Sequence, residues 1–220
     1  MSASTNSSFS ISSAEFVWDH ADETHAHRYL VPPAIRALRS FGVSNVLDLG
    51  CGNGAFSARL WKEGFAVKGC DVSESGLALA RKAHPEIEVF RHDVANDLPG
   101  NCRGAYDAVV SLEVIEHLPF PRCLLKAAWQ ALRPGGVLVV STPYHGYVKN
   151  LAIALVNGFD KHWHPLRDCG HVKFFSLKTI SLLMKEAGFD VSRIARVGRI
   201  PALACSMLAI AVKSEAQEIK

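Results

Sequence analysis

Short apolar segments with the pattern of buried strands alternate with amphipathic helical segments along most of the chain. The first five predicted strands are NVLDLG, AVKGCDV, IEVFRHDV, YDAVVSL and GVLVVSTP. Such alternation is typical of a parallel sheet with helices on both faces. The last two predicted strands, VSRIARVG and SMLAIAVK, follow each other closely, which indicates one antiparallel strand near an edge. We therefore predict a doubly wound, mostly parallel, seven-stranded α/β sheet.

The sequence predicts a single domain between two polar tails. The 220 residues are 49% hydrophobic, which is enough for one substantial core. We expect residues 1–13 to form a disordered tail, residues 14–213 to form the domain and residues 214–220 to form a polar tail. Residues 14–41 are predicted to be helical with an interruption at two prolines. Residues 143–174 are predicted to be largely irregular, and long irregular stretches in a compact domain usually serve function. We expect this stretch to be a substrate lid.

Composition narrows the classes of partner. The net charge is +3, and no cluster of Lys and Arg stands out, which argues against nucleic acid as a partner. The start has neither the apolar core of a signal peptide nor the basic residues of a transit peptide, and the longest apolar run is too short to span a bilayer. The six cysteines are scattered without a CxxC pair, as in proteins with reduced thiols. We expect a cytoplasmic protein, and its oligomeric state is not indicated.

A glycine-rich loop follows the first predicted strand. LDLGCGNG places Gly50, Gly52 and Gly54 between a strand and a helix, with Asp48 two residues before the first glycine. Glycines there allow a tight turn and let a ligand lie against bare backbone. The GxGxG spacing differs from the GxGxxG fingerprint of dinucleotide sites.

Two further carboxylates follow the next two strands. Asp71 ends the second predicted strand, where a carboxylate can accept hydrogen bonds from both hydroxyls of a ribose. Asp93 ends the third predicted strand and is placed to meet an adenine amino group. Because ligands of such sheets bind beyond the carboxyl ends of the strands, the loop and both carboxylates predict a nucleoside-containing ligand.

The stretch SLEVIEHLP places two carboxylates and an imidazole at the end of the fourth predicted strand. In a helical turn, Glu113, Glu116 and His117 stand at i, i+3 and i+4 on one face. Two carboxylates this close raise each other's pKa unless a cation intervenes. Carboxylate oxygens and imidazole suit Mg²⁺, Mn²⁺, Fe²⁺ or Co²⁺. The alternatives are a metal-free site with His117 as general base, or a purely structural role.

Taken together, these segments resemble the class I S-adenosylmethionine-dependent methyltransferases. VLDLGCGNG, GCDVS, RHDV, YDAVVSLEVIEH and LRPGGVLVVSTP occur in that family's order and spacing, and the resemblance covers residues 27–213. It implies a Rossmann-like fold and a methyltransferase that uses S-adenosylmethionine. It also implies that Gly50 and Gly52 contact the amino-acid end of the cofactor and that Asp71 holds its ribose. The full implied set of cofactor-binding residues is Asp48, Gly50, Cys51, Gly52, Asp71, Val72, Asp93, Val94 and Leu112.

The ExxEH pattern is similar to that of two metal-using groups within the family. These are the O-methyltransferases of ubiquinone biosynthesis and the small-RNA 3′-end 2′-O-methyltransferases. GHVKFFS resembles the RNA group's segment with a further histidine ligand, which implies His171 as a metal ligand beside Glu113, Glu116 and His117. HAHRYLVPPAI resembles the ubiquinone group's segment whose arginine pairs with the cofactor carboxylate, which implies that role for Arg28.

The resemblance yields one leading function and two alternatives. We predict methyl transfer from S-adenosylmethionine to a hydroxyl of a small molecule, with Glu113, Glu116 and His117 as catalytic residues and a divalent metal as an open second cofactor. The alternatives are 2′-O-methylation of an RNA 3′ end and metal-free N- or C-methylation of a small molecule. We predict that VKNLAIALVNGF, in the predicted lid, is a lid helix packed on the domain. The alternative is membrane contact, which is implied because the segment resembles in position the membrane-touching insert of the ubiquinone-type enzymes.

Overall fold

The computed structural model describes residues 16–163 and 166–214. The predicted tail at residues 1–13 and most of the tail at residues 214–220 lie outside this part of the chain. In order, the elements are α1 (His27–Ser40), β1 (Asn45–Leu49), α2 (Ala55–Lys62), β2 (Ala66–Asp71), α3 (Glu74–Ala83), β3 (Glu88–Arg91), β4 (Tyr106–Leu112), α4 (Arg122–Ala131), β5 (Leu132–Pro143), α5 (Tyr147–Leu155), α6 (Phe159–Trp163), α7 (Leu177–Glu186), β6 (Phe189–Val197) and β7 (Ser206–Lys213).

The seven strands form one sheet in the order β3-β2-β1-β4-β5-β7-β6. Strands β1 to β5 pair in parallel, and β7 lies antiparallel between β5 and β6. The predicted seven-stranded sheet with one antiparallel strand near an edge is therefore confirmed. Strand order reverses direction between β1 and β4, which places a ligand crevice beyond the carboxyl ends of those two strands.

Helices cover the sheet on both faces, and a separate apolar core lies under each layer. Buried side chains of α1 and α2 pack with β1 and β5 on one face, and those of α4 and α7 pack on the other. The central strands β1 and β4 are short and largely buried because both of their faces are covered. This packing fixes the ends of β1 and β4 rigidly beside each other.

The N-terminal helix differs from the prediction in two ways. It begins at His27 instead of residue 14, and it continues through Pro32 and Pro33 without a break. Burial of Leu30 and Leu38 against the sheet, both wholly inaccessible to solvent, outweighs the hydrogen bonds that the prolines remove. Residues 16–22 lie outside the helix because they hydrogen-bond to the glycine loop and to the start of α3.

The stretch predicted to be irregular contains two helices, α5 and α6. None of their described side chains is buried, so the apolar sequence of α5 does not serve a core. Among the described residues, no helix combines the length and the apolar character that a bilayer crossing requires. All six cysteines are free thiols.

Candidate active site

The glycine loop and the ExxEH segment meet at the point where strand order reverses. The loop follows β1, and Glu113 follows β4, the next strand in the sheet. The Ser111 hydroxyl donates to the Leu49 carbonyl over 2.7 Å, which ties the two strand ends together. Val114 packs on Gly50, whose hypothetical Cβ would lie 2.5 Å from a Val114 methyl group. The two motifs identified in the sequence therefore form one site.

The three glycines of the loop adopt left-handed backbone conformations. Their φ angles are 89° at Gly50, 52° at Gly52 and 78° at Gly54, which a side chain would strain. The sequence predicted that a ligand lies against the bare backbone of this loop, whereas the structure shows protein side chains against it. Side chains of the protein already cover the places of the missing Cβ atoms, with Trp18 over Gly52 and Ala80 over Gly54. Packing within the chain therefore requires these glycines independently of any ligand.

Asp71 lies at the end of β2, directly beside the loop. Its Oδ2 accepts the N–H of Gly52 over 2.7 Å, and its Oδ1 accepts the N–H of Ser73 over 2.8 Å. These bonds fix the carboxylate at the end of β2, beside the glycine loop. The geometry suits the predicted contact with a ribose.

Asp48 lies beneath the loop and is almost wholly buried. Its Oδ2 accepts the Ser57 hydroxyl over 2.6 Å, which joins β1 to α2. Burial raises the pKa of Asp48 to about 7. Cys51 is also buried, and burial raises the pKa of its thiol, so it serves as a small packed residue under Gly69. Both residues support the loop, and their contact with a cofactor stays a prediction.

The predicted adenine-binding residues lie just beyond β3, which ends at Arg91, two residues before Asp93. Asp93 accepts the N–H of Ala95 over 2.9 Å, and Val94 packs on the core. The Val72 carbonyl accepts the Arg91 Nε–H over 3.2 Å.

Two further predicted cofactor residues occupy contrasting positions. Leu112 is the last residue of β4 and packs against the core on the α1 side of the sheet, and its contact with a cofactor stays a prediction. Arg28 is exposed on α1 and makes no ion pair within the described part of the chain. Its guanidinium is therefore available to a ligand carboxylate, and the pairing itself stays a prediction.

Glu113 is held by two hydroxyls that the sequence did not point to. Its Oε1 accepts the Ser141 hydroxyl over 2.7 Å and its Oε2 accepts the Ser206 hydroxyl over 3.2 Å. Its backbone is left-handed, with φ of 55°, and its N–H donates to Ser141 over 2.9 Å. Burial raises the pKa of Glu113 to about 7. The two serines come from β5 and β7, and no local sequence signal connects them with Glu113.

Glu116 is wholly buried in a short 3₁₀ turn, Ile115–His117. Neither of its carboxylate oxygens has a hydrogen bond of normal geometry among the described residues, although the Thr142 hydroxyl lies near enough to oppose the rise of its pKa. Burial, together with the negative charge of Glu113, raises its pKa well above the usual range. Its backbone carbonyl accepts the N–H groups of Val172 and Lys173 over 2.9 and 3.0 Å, which anchors the segment that carries His171.

His117 is oriented by backbone carbonyls. Its Nδ1 lies 2.9 Å from the Cys169 oxygen and 3.2 Å from the Gly170 oxygen. Only a protonated Nδ1 can bond a carbonyl, so the neutral ring has its free lone pair on Nε2. Burial lowers the pKa of His117. The ring centroid of His171 lies 4.8 Å away, and its Nε2 is 4.0 Å from Glu116 Oε1. Burial is also the main reason why the pKa of His171 is lowered to about 4.

Glu116, His117 and His171 form the one group of possible metal ligands found among the described residues. Each offers a ligand atom, and these atoms all lie within 4.8 Å of one another. Glu113 is not part of the group, and its carboxylate bonds Ser141 and Ser206 instead. A buried carboxylate without a hydrogen bond of normal geometry among the described residues, beside two neutral imidazoles, suits a divalent cation. The carbonyl bond at His117 Nδ1 is the support that ligating histidines usually have.

Residues 143–163 and 166–174 form a wall beside this group. His145 stacks within 4.8 Å of Trp163 and 5.3 Å of Phe174, measured between ring centroids. Neither ring nitrogen of His145 finds a hydrogen-bond partner in the described part of the chain. Lys149 donates to the Tyr144 carbonyl over 2.9 Å and carries the positive charge nearest to Glu113 in this wall. The wall thus presents aromatic surface and a partly buried cation.

Comparison with known proteins agrees with this geometry. A family model described as a methyltransferase domain matches residues 23–194. A ubiquinone biosynthesis O-methyltransferase of Hydrogenovibrio crunogenus is 30% identical over 197 residues, which cover 84% of this chain and 80% of that protein. Magnesium protoporphyrin IX methyltransferase from Synechocystis PCC 6803, solved with bound SAH, has a TM-score of 0.65 at 21% identity, covering 84% of this chain and 82% of that one. The methyltransferase domain of bacterial CtHen1-CN has a TM-score of 0.64 at 24% identity, covering 83% and 96%.

Proposed function

The chain belongs to the class I S-adenosylmethionine-dependent methyltransferases, and from that premise we propose that it methylates a hydroxyl of a small molecule with two adjacent oxygens. The observation that carries this proposal is the buried Glu116 carboxylate, which has no hydrogen bond of normal geometry within the described part of the chain and lies beside two neutral imidazoles. Glu116, His117 and His171 would hold a divalent cation there, and it would supply Lewis-acid chemistry to an acceptor with two neighbouring oxygens. The O-methyltransferase name of the relative agrees with this substrate class.

Cofactor binding rests on the glycine loop and Asp71. S-adenosylmethionine supplies an electrophilic methyl group on a sulfonium sulfur. The chain's part is to bind and align it, and Asp71, fixed by two backbone N–H groups, is placed to accept the ribose hydroxyls. Asp93 and Val94 would bound the adenine, and Arg28 would pair with the carboxylate of the methionine moiety.

Glu116, His117 and His171 would hold the metal. The chemistry that a divalent ion would supply at this position is a lower pKa of an acceptor hydroxyl. The Cys169 and Gly170 carbonyls keep the proton of His117 on Nδ1, which would leave the lone pair of Nε2 for the metal. Glu113, with a pKa of about 7, can accept a proton at neutral pH, and Ser141 and Ser206 hold it in one orientation.

Residues 143–174 would serve as the lid of the acceptor site. Aromatic side chains line it, and Lys149 and His145 add polar groups. The outward face of α5 is apolar, and its exposed large side chains are Tyr147, Val148, Leu151 and Leu155. An apolar helix face on the surface is typical of helices that lie in a membrane interface, so we also propose peripheral membrane contact here. A cytoplasmic location stays a prediction.

A turnover assay with labelled S-adenosylmethionine tests the proposal. The acceptors are 3,4-dihydroxybenzoate, 3-hydroxybenzoate, which lacks the second oxygen, and a short RNA duplex. We expect methyl transfer to the dihydroxy compound, its loss after chelation and its return with Mn²⁺, Co²⁺ or Mg²⁺. Transfer to RNA alone would contradict the small-molecule proposal. Transfer that persists after chelation would contradict the metal.

A matched pair of variants separates the metal site from general effects of charge. Glu116→Gln removes the buried carboxylate, whereas Glu88→Gln removes an exposed one that is paired with Lys68. We expect at least a hundredfold lower turnover for the first variant and wild-type turnover for the second. Equal turnover of both variants would refute the role of Glu116.

A further inference from the structure

Residues 16–22 form a strap across the glycine loop. Ser73 donates its hydroxyl hydrogen to the Phe16 carbonyl over 2.6 Å, and the Trp18 N–H donates to the Ser75 hydroxyl over 3.1 Å. The Asn53 side-chain amide donates to two further strap carbonyls, at residues 20 and 22, over 3.0 Å each. Four hydrogen bonds therefore fasten the strap to the loop and to the first turn of α3.

The indole of Trp18 lies where the loop lacks side chains. A Cβ on Gly52 would lie 2.4 Å from Trp18 Cζ2, and a Cβ on Gly76 would lie 2.9 Å from Trp18 Cδ1. Gly76 belongs to the first turn of α3, where glycine costs roughly 1 kcal/mol relative to alanine. The chain thus has glycine at both positions that the indole touches. Gly52, which the indole contacts, donates its N–H to Asp71. The indole therefore packs next to the residue that binds the predicted ribose-binding carboxylate.

Phe16, at the start of the strap, contacts a second loop, residues 167–171, which lies beside the proposed metal ligands. The Phe16 ring packs edge-to-face on Trp18, with centroids 5.1 Å apart, and the Arg167 guanidinium lies 5.4 Å above the Phe16 ring. Arg167 is near enough to His117 and His171 for its charge to lower the pKa of both rings. The carbonyls that orient His117 belong to Cys169 and Gly170, which follow Arg167 by two and three residues. The strap therefore contacts both halves of the active site.

We propose that Trp18 is a cofactor-binding residue and that the strap is the outer wall of the cofactor pocket, linked through Phe16 and Arg167 to residues 167–171. This inference rests on the methyltransferase function and adds a binding residue to it. Cofactor binding stabilises the strap, and the strap stabilises the loop that orients His117. The two halves of the site then bind their ligands cooperatively.

The contacts favour a permanent wall over a plug that leaves at each turnover. Displacement of the strap would break its four hydrogen bonds and expose the indole to water. A wall and a plug predict opposite effects of removing the indole. Loss of a wall weakens cofactor binding, and loss of a plug strengthens it.

Calorimetric titration with S-adenosylhomocysteine tests the role of Trp18. We expect Trp18→Ala to raise the Kd at least about tenfold, Trp18→Phe to raise it by about threefold, and Trp61→Ala, at a half-exposed tryptophan on α2, to leave it unchanged. A Kd for Trp18→Ala that equals or falls below the wild-type value overturns the proposal, whatever happens to its thermal stability. Should Trp18→Ala fail to fold, the Trp18→Phe titration decides. If the wild-type protein does not bind S-adenosylhomocysteine, that result would instead overturn the methyltransferase function.

Hydrogen exchange tests the link to the second loop. In the wild type we expect S-adenosylhomocysteine to slow amide exchange in residues 16–22 and also in residues 167–172. In Phe16→Ala we expect the second protection to disappear while the protein still binds the ligand. Protection of residues 167–172 that persists in Phe16→Ala, or faster exchange of the strap on binding, contradicts the proposal.

Discussion

Neutralising Glu113 should remove a large part of the pH dependence of stability. Burial raises the pKa of this carboxyl from 4.5 to about 7. Between these values the unfolded chain has released the proton and the folded protein still holds it, so stability falls as the pH rises. The stabilisation is complete below about pH 4.5 and is lost by about pH 7. At 1.36 kcal/mol per pKa unit the loss amounts to roughly 3 kcal/mol.

Glu113→Gln is the appropriate perturbation because the amide keeps the shape and an acceptor oxygen for Ser141. The amide has no proton to lose, so the free energy of unfolding of the variant lacks this pH-dependent component. The free energy of unfolding of the variant relative to the wild type should therefore rise by roughly 3 kcal/mol between pH 4.5 and pH 7.5. For a domain of this size that corresponds to roughly 6–12 °C in Tm.

Thermal and urea unfolding of the metal-free protein, from pH 4.5 to pH 8, measure the difference. Asp48→Asn is a matched variant, because burial also raises the pKa of Asp48 to about 7, and it should change in the same direction. Glu88→Gln, at an exposed carboxylate, should follow the wild type. A difference between Glu113→Gln and wild type that does not change with pH would refute the reasoning.

Three further predictions follow from single contacts. Mn²⁺ should raise the Tm of the wild type more at pH 8 than at pH 5, because the metal needs ionised Glu116, and His171→Ala should lose this increment in a thermal-shift assay. Ser73→Ala removes the hydroxyl that caps α3 at the Gly76 N–H and should cost about 1 kcal/mol in urea unfolding; a cost near zero would contradict the cap. Leu155→Asp, at a 77% exposed position, should leave the Tm nearly unchanged and reduce sedimentation with anionic lipid vesicles, and unchanged sedimentation would contradict the membrane contact.

The parts of the fold that the sequence predicted well are those set by local patterns. Strand β4 has the bounds expected from YDAVVSL, and Ser73, a residue type typical of helix N-caps, caps α3. Buried strands and capped helices have signals within a few residues. In the lid, the sequence suggested a helix only at VKNLAIALVNGF, where α5 forms, and α6 was missed. The five residues of α6 have no buried side chain, so the pattern of a core-facing helix is absent there.

The predicted start of α1 was wrong because contacts distant in the chain override the local pattern. Residues 14–26 have a composition compatible with a helix, and tertiary hydrogen bonds from Ser73, Ser75 and Asn53 hold part of them in an extended strap instead. Pro32 and Pro33 suggested a break, and burial of the helix against the sheet prevented it. Both outcomes depend on partners more than twenty residues away, which a local pattern does not contain.

The sequence by itself determined the doubly wound sheet, the glycine loop, the acidic strand ends and the family, because each depends on residue types at short and regular spacing. Only the tertiary structure decided which residues of the ExxEH segment lie together in the group of possible metal ligands. Glu116 and His117 point toward His171, and Glu113 points toward Ser141 and Ser206. The carbonyl that orients His117 lies 52 residues away in the chain. Side-chain direction at such a site depends on hydrogen bonds between distant strands and loops, and folding alone brings these together.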